Sequence, residues 1–376
     1  MRYCSRCVYP ELAVNLLLDD DGVCSACRSY EEFEKLPVDF WSKREKVFGE
    51  LLESYRNKKQ DNYDCIIPVS GGKDSYWQTH LIKNVYKLNP LLVTYHGNRF
   101  LPEGEENLLN MRHVFGVDHM IFRPSTEMLK KLNRAGFIKT GDMNWHNHCG
   151  IYSYPVQTAA KLNIPIIIWG ETPWDISGMF GADDFPEMSA RERLEHGQRG
   201  FDWFDFVGTE GLEAKDLLWA RYPSDDEIKR VGIRGLYVGN YIKWDENKHS
   251  KLVEEKYGFQ KARQSFERTY RMFSNLDDIH ENGGHDYLKY IKFGYGRASD
   301  HASKDIRKGY MTREQGVEMV RKYDHVKSSD IYNWLDYVGM SEADFDRIAD
   351  TFRDKRVWSK DKSGTWIKAN LWDQKK

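Results

Sequence analysis

Six consecutive residues combine the chemical groups and the spacing expected of a phosphate-binding loop: Ser70, Gly71, Gly72, Lys73, Asp74 and Ser75. An apolar run at 65–69 precedes them and is predicted to be a buried parallel strand, while residues 76–82 have helical spacing. Both glycines are expected to take positive φ, so that backbone N–H groups and the positive end of the helix converge on an anion. The sequence therefore predicts a phosphate site at this turn.

Side chains of the loop add further ligands for phosphate. Ser70 and Ser75 supply hydroxyl donors, Lys73 supplies a mobile charge, and Asp74 could hold Mg²⁺ or orient the loop. The spacing differs from the common nucleotide and dinucleotide loops. It resembles the SGG-x-DS loop of the PP-loop ATP pyrophosphatases, which cleave ATP between the α and β phosphates, leave AMP on a substrate oxygen and release pyrophosphate. A glycine turn that binds no ligand is the alternative.

Alternating strand and helix patterns must position this loop. Strands are predicted at 65–69, 91–95, 119–122 and 164–169, and helices from 74 onward and at 105–115, 126–134 and 154–162. Such alternation predicts an α/β fold, a doubly wound parallel sheet with helices on both faces. Ligands bind beyond the carboxyl ends of the strands in such sheets.

Two more strand ends are therefore candidate walls of the site. In the PP-loop fold that the resemblance implies, the loop after the second strand cradles adenine and ribose, and the loop after the fourth lies beside the phosphates. Tyr95 and Gly170 are accordingly predicted to bind ATP together with the loop 70–75. Glu171 either binds Mg²⁺ or caps the next helix, and both readings stay open. The predicted catalytic residues are Lys73, Asp74 and Glu171.

Four cysteines near the start form two Cys-x-x-Cys pairs separated by sixteen residues: Cys4, Cys7, Cys24 and Cys27. Two such pairs suit one tetrahedral Zn²⁺. Two disulfides are disfavoured in a reducing compartment, and iron–sulfur clusters more often show uneven spacing. We expect a structural zinc ribbon over residues 1–30 whose stability comes from the metal.

Candidate substrate contacts fall in two segments. His146 and His148 alternate, so in an extended loop they would share one face and contact substrate; metal binding and acid–base chemistry are alternatives. A second zinc is the weaker idea because no fourth ligand is evident nearby. Cys149 is predicted to be an inert packed thiol. The second segment, around a Gly-Tyr-Gly hinge, suits a pyrophosphate or sugar pocket, with an ordinary helix–turn–helix as the alternative; its candidate residues are Lys292, Arg297, Asp300 and His301.

The order of these features resembles the N-acetyl sugar amidotransferases of bacterial surface-polysaccharide (O-antigen) and flagellar-glycan pathways. The predicted domains are a ribbon at 1–30, a helical linker at 31–60, a PP-loop domain at 61–222 and a mostly helical region at 223–376. The resemblance implies that ATP adenylates the oxygen of an acetamido group on a sugar, nucleotide-linked or a nonulosonic acid, and that ammonia then displaces AMP to leave an acetamidino group. It also implies separate glutaminase and synthase subunits similar to those of histidine biosynthesis, because the chain shows no glutaminase signature.

Composition argues against several other classes of protein. The 376 residues carry a formal net charge of -2, so no basic field recruits nucleic acid, and none is expected as a partner. Thiolation of tRNA through the same adenylation is the alternative function, and a nucleotide-sensing scaffold without turnover is a third. Short apolar runs and the lack of a hydrophobic leader predict a cytoplasmic protein without membrane insertion. The expected cofactors are ATP, Mg²⁺ and Zn²⁺.

Overall fold

A five-stranded parallel sheet forms the centre of the chain. The computed structural model describes residues 1–170, 187–188, 194, 198 and 200–373. The strands are β1 (Cys65–Pro68), β2 (Pro90–Tyr95), β3 (His119–Phe122), β4 (Ile166–Trp169) and β5 (Arg234–Tyr237). Their order is β3-β2-β1-β4-β5, so the chain winds outward from β1 to β3 and then returns to the other side of β1. This confirms the predicted doubly wound parallel sheet.

Helices surround the sheet and make up most of the C-terminal region. Those before β5 are α1 (Ser25–Glu34), α2 (Phe40–Tyr55), α3 (Lys73–Thr79), α4 (Pro102–Phe115), α5 (Thr126–Thr140), α6 (Trp145–Leu162) and α7 (Asp225–Val231). Those after it are α8 (Glu246–Tyr257), α9 (Asn282–Phe293), α10 (Arg297–Arg307), α11 (Arg313–Tyr323), α12 (Asp330–Val338) and α13 (Glu342–Thr351). Among the described residues, no helix is both long and apolar enough to cross a membrane.

Alternation along the strands explains why both faces of the sheet are covered. Successive side chains of a strand point to opposite faces. Ile67 packs in one apolar cluster with residues of α3, α4 and α8, whereas Ile66 packs in another with residues of α6. Both isoleucines are fully buried. The strand ends therefore form the accessible edge of the sheet, where β1 and β4 lie side by side at the point at which the winding reverses.

Several helices and strands begin or end at other residues than predicted, and the largest difference is at the start of one helix. The helix expected at 154–162 begins at Trp145 and contains Pro155; the proline and the polar residues before it conceal the helical pattern from sequence reasoning. The sheet also continues beyond residue 222, because β5 supplies its edge strand. The division into four domains stays a prediction.

The C-terminal helices bind the N-terminal ribbon to the rest of the chain. Arg313 of α11 donates hydrogen bonds to the carbonyl oxygens of Cys4 and Cys7, both at 3.1 Å. Tyr295, between α9 and α10, packs in the apolar cluster of the ribbon and stacks edge-on against Tyr9 at 5.9 Å. The ribbon is thus anchored on the segment that carries the predicted substrate residues.

Candidate active site

The loop after β1 has the backbone geometry of a close-fitting turn. Gly71 has φ +78°, and a Cβ atom placed on it would lie 2.8 Å from the Cα atom of Leu108 in α4. The Ser70 backbone N–H donates to Ser75 Oγ at 3.0 Å. Positive φ at Gly72 was also predicted, and this is wrong: Gly72 is the extended N-cap of α3, with φ -73° and ψ 168°. Only the first glycine is needed for the turn, since an extended backbone suits any residue.

Lys73 and Asp74 form an ion pair at the start of α3. The distance from Lys73 Nζ to Asp74 Oδ2 is 2.5 Å, and Lys73 is only 7% exposed. Asp74 Oδ1 is buried and, within the described part of the chain, has no hydrogen-bond partner. A carboxylate oxygen without a partner is a ligand that Mg²⁺ prefers. Asp74 therefore fits a role in holding the cation that accompanies ATP.

The other two predicted walls of the ATP site differ in their surroundings. Gly170, at the end of β4, faces α3: a Cβ on it would lie 2.2 Å from Gln78 Oε1. The ring of Tyr95 is packed among buried apolar residues, 4.8 Å from the ring of Trp219. The structure thus brings Gly170 to the loop helix and gives Tyr95 a place in the interior. Glu171 lies outside the described residues.

A charged cluster that sequence reasoning missed lies close to Lys73. Glu246, at the start of α8, accepts from Arg271 Nη1 at 2.5 Å and from Lys304 Nζ at 2.9 Å. Burial raises the pKa of Glu246, but the charges of Lys304, Lys73 and Arg271 outweigh burial and hold it well below its usual range. Arg271 also binds Asp305 at 2.6 Å. No local motif links these residues, because they come from three distant segments.

His146 lies in a buried polar cluster that closes the end of β2. His146 and Glu281 are fully buried, and His146 Nε2 contacts Glu281 Oε1. Asn98 Nδ2 donates to Glu281 at 2.7 Å and to Asp278 at 3.0 Å, which brings the two carboxyl groups together. Burial is the largest cause that raises the pKa of each acid to about 8, and burial lowers the pKa of His146 to about 4. The cluster is therefore held mainly by neutral groups.

His148 lies on a different side of α6 from His146. The two histidines lie in α6 rather than in an extended loop, so the expectation that they share one face is wrong: residues two apart on a helix face different sides. The His148 ring lies 6.2 Å from that of His285, and His285 Nδ1 lies 2.9 Å from Asp142 Oδ1. Lys292 Nζ lies 3.9 Å from the same carboxylate. Helix α6 thus meets the predicted C-terminal segment through His148.

The remaining predicted substrate residues each have a protein partner. Arg297 Nε binds Asp286 Oδ1 at 2.8 Å, while Asp300 contacts Lys289 and accepts from the Tyr9 hydroxyl at 3.1 Å. His301 Nδ1 lies 2.6 Å from the Thr269 hydroxyl oxygen, and burial lowers the pKa of His301 well below its usual value.

One acid lies within electrostatic reach of both groups of predicted site residues. Burial raises the pKa of Asp277, and the charges of Arg268, Arg297 and Lys73 oppose this shift. Lys73 belongs to the loop and Arg297 to the C-terminal segment. Both charges therefore act on Asp277. A direct contact is made nearby, where Lys73 Nζ lies 5.5 Å from the centre of the Phe273 ring. Their roles toward ATP and sugar stay predictions.

The four ribbon cysteines converge as the spacing predicts. Their sulfur atoms all lie within 4.8 Å of one another, with 3.6 Å between Cys7 and Cys24 and 3.9 Å between Cys4 and Cys27. These separations exceed the S–S bond length of about 2.05 Å, so the pairs are not disulfides. Zn–S bonds of about 2.3 Å in a tetrahedron separate sulfurs by about 3.8 Å, so the cluster fits one such ion.

Part of the chain matches a protein family. Residues 267–371 match the family model described as "LPS biosynthesis protein WbpG-like, C-terminal domain". This region contains α9 to α13, and with them the predicted substrate residues 292–301. Residues 267–371 are therefore similar to that C-terminal domain.

Among curated proteins, an uncharacterized protein, MJ1599, of Methanocaldococcus jannaschii is 32% identical over 135 residues. The match covers 35% of this chain and 47% of the relative. The chain therefore spans about half the length of the curated relative that it matches.

Several solved structures are similar at low identity. The U34-tRNA thiolase NcsA from Methanococcus maripaludis, solved with its 4Fe–4S cluster, has a TM-score of 0.33 and 13% identity, covering 72% of this chain and 79% of its own. The NH₃-dependent NAD synthetase from Campylobacter jejuni has a TM-score of 0.29 and 14% identity, covering 51% and 91%. NMN synthetase from Francisella tularensis has a TM-score of 0.28 and 11% identity, covering 57% and 95%.

Proposed function

We propose that this protein is an ATP-dependent amidotransferase that converts an acetamido group of a sugar to an acetamidino group in surface-glycan biosynthesis. The observation that carries the proposal is the contact between two parts of the chain. Lys73 of the Ser70–Ser75 loop lies 5.5 Å from the ring of Phe273, which belongs to the region 267–371 that matches the WbpG-like domain. The loop suits adenylation by ATP. The C-terminal region suits recognition of a sugar used in lipopolysaccharide synthesis.

The reaction follows from the weak electrophilicity of an amide carbonyl. The carbonyl oxygen of the acetamido group attacks the α phosphate of ATP, the bond between the α and β phosphates breaks, and pyrophosphate leaves. The nitrogen loses its proton, which gives an imidoyl adenylate. Ammonia adds to the same carbon, the C–O bond breaks, and AMP leaves with the oxygen. The net change replaces the carbonyl oxygen by NH.

Each loop residue has a role in this scheme. Ser70, Ser75 and the backbone of the glycines would bind the departing pyrophosphate, while Lys73 would neutralise its developing charge. Asp74 would hold Mg²⁺, which supplies further charge neutralisation when bound. Catalysis is then chiefly positioning and electrostatic stabilisation.

Zinc is the metal that we propose for the ribbon. The close approach of the four sulfurs suits a single ion, whereas a four-iron cluster needs wider spacing between its ligands. Backbone N–H groups of Arg6, Cys7 and Cys24 lie 3.3–3.4 Å from Cys4 Sγ and stabilise its negative charge. The role of the ion is structural, since all four ligands come from protein.

Two details favour the sugar substrate over tRNA. A thiolase needs an accessible cysteine to carry sulfur, and the two cysteines outside the ribbon, Cys65 and Cys149, are 0% and 1% exposed. Burial raises the pKa of the Cys65 thiol well above its usual value, which keeps it protonated and unreactive.

Ammonia would come from a separate glutaminase and synthase pair similar to that of histidine biosynthesis.

Release of AMP and pyrophosphate tests the proposal. The purified protein is incubated with ATP, Mg²⁺ and ammonium, and diacetamido nucleotide-sugars are compared with bulk tRNA. Release that depends on a sugar, with an amidine product, supports the proposal. Release that depends on tRNA would refute it. If the chain alone used glutamine as efficiently as ammonia, the proposed partner glutaminase would be wrong.

A further inference from the structure

His249 has an unusual environment next to the loop helix. It lies on α8, is 4% exposed, and its ring stacks on Trp77 of α3 with centroids 4.3 Å apart and planes 14° apart. The Trp244 ring is nearly perpendicular to the imidazole, with centroids 4.7 Å apart. Contacts with two indole rings restrict the orientation of the imidazole. Its polar atoms therefore have few choices of partner.

One ring nitrogen has a partner and the other has none. The backbone N–H of Asp245 donates to His249 Nε2 at 3.4 Å, so in the neutral ring the proton is on Nδ1. His249 Nδ1 is buried, and throughout the described ranges of the chain no hydrogen-bond partner is found for it. A buried donor without an acceptor is costly, because it has lost its hydrogen bond to water. Such an atom indicates a place where a ligand supplies the acceptor.

The position of Trp77 relates His249 to the phosphate loop. Trp77 is four residues after Lys73 on α3, so the two side chains lie on the same face of this helix. Burial lowers the pKa of His249 to about 3, and the nearby charge of Lys73 adds to this effect. Asp245 and Glu246 oppose the shift without reversing it. His249 is therefore a neutral donor beside the cation that the loop offers to phosphate.

We infer that His249 is a further ligand of the phosphate chain of ATP, to which it donates a hydrogen bond from Nδ1. The inference rests on the proposed function, because it needs ATP at the Ser70–Ser75 loop. His249 stacks on Trp77, on the face of α3 that also carries the buried Lys73, and the charge of Lys73 acts on the imidazole. A phosphate group that reaches the Lys73 ammonium therefore comes close to His249. The contact would favour the triphosphate over adenosine.

Two substitutions separate the N–H group from the ring. His249→Phe keeps a flat ring against Trp77 but removes the donor. His249→Asn places an amide N–H near the position of Nδ1 and so restores it. Both are compared with the unaltered protein by calorimetric titration with α,β-methylene-ATP and Mg²⁺, a probe that cannot be cleaved at the reacting bond, and with adenosine. Thermal unfolding of each variant establishes that it is folded.

We expect His249→Phe to weaken binding of the methylene analogue by about ten- to a hundredfold, since a hydrogen bond to a charged group contributes about 1.5–3 kcal/mol. Adenosine binding should stay unchanged, and His249→Asn should recover most of the affinity. Equal binding by His249→Phe and the unaltered protein would overturn the inference and leave the proposed function intact. Equal losses for the analogue and adenosine would also overturn it, because they indicate a packing role. If the unaltered protein bound no analogue, the ATP site and the inference would both fail.

Discussion

Replacement of Gly71 by alanine tests the loop geometry most severely. The residue would have to keep φ near +78° with a Cβ 2.8 Å from the Leu108 Cα and N atoms of α4. Left-handed φ costs a residue with a Cβ about 1–2 kcal/mol, and overpacking against a part that cannot yield costs about 1–3 kcal/mol. We therefore expect Gly71→Ala to lower the free energy of unfolding by about 2–5 kcal/mol.

Gly232 provides a matched control. It also has positive φ, +72°, but a Cβ on it would meet nothing within 4 Å. Gly232→Ala should therefore lose only the conformational part, about 1–2 kcal/mol. Urea unfolding followed by tryptophan fluorescence measures the free energy of unfolding for both variants and for the unaltered protein. Equal losses in the two variants would refute the argument that the loop is pressed against α4.

Three further predictions concern charge and metal. Lys73→Ala should abolish AMP release while the zinc content, measured by atomic absorption, stays that of the unaltered protein; normal turnover would contradict the proposed placement of the phosphates. Cys7→Ser should lower the zinc content and the thermal stability together, because the ribbon is too small to fold on apolar burial alone; full zinc occupancy would contradict the four-cysteine site. The raised pKa of Glu281 means that the folded chain keeps a proton that the unfolded chain releases near pH 4, so this acid makes stability fall as pH rises from about 4 to about 8. Glu281→Gln should remove this contribution, about 1.4 kcal/mol of the free energy of unfolding per pH unit. Urea unfolding at several pH values between 4 and 8 measures it. If the dependence on pH were the same in the variant, Glu281 would be ionised in the folded protein.

Patterns of residues close together in the sequence are sufficient to predict the fold class. The strand and the helix that flank the loop, the convergence of the two Cys-x-x-Cys pairs and the parallel sheet all depend on patterns of residues close in sequence, and the structure has all of them. The start of α6 was not predictable, because Pro155 and the polar residues before it weaken the helical pattern, and burial of Trp145 stabilises the helix instead. The sequence predicts positive φ at both glycines of the loop, but only Gly71 has it, because Gly72 is already the extended N-cap of α3.

Long-range contacts account for the part of the candidate site that sequence reasoning missed. Glu246, Arg271 and Lys304 form one cluster, yet they come from segments with no shared motif. The same holds for Asn98 and Glu281, which meet across 183 positions of the chain. Such clusters depend on how helices pack, and packing is not encoded in residue spacing. The sequence pattern indicates only that polar residues near the predicted strand ends are candidates for the site.

Transfer of the carbonyl oxygen tests the central claim most directly. An acetamido sugar labelled at the carbonyl with a heavy oxygen isotope is incubated with the protein, ATP, Mg²⁺ and ammonium, and the AMP is analysed by mass spectrometry. Adenylation of that oxygen predicts that the label appears in the phosphate of AMP and is absent from the amidine product. Unlabelled AMP formed alongside the amidine would contradict the adenylated intermediate, and with it the role proposed for the Ser70–Ser75 loop.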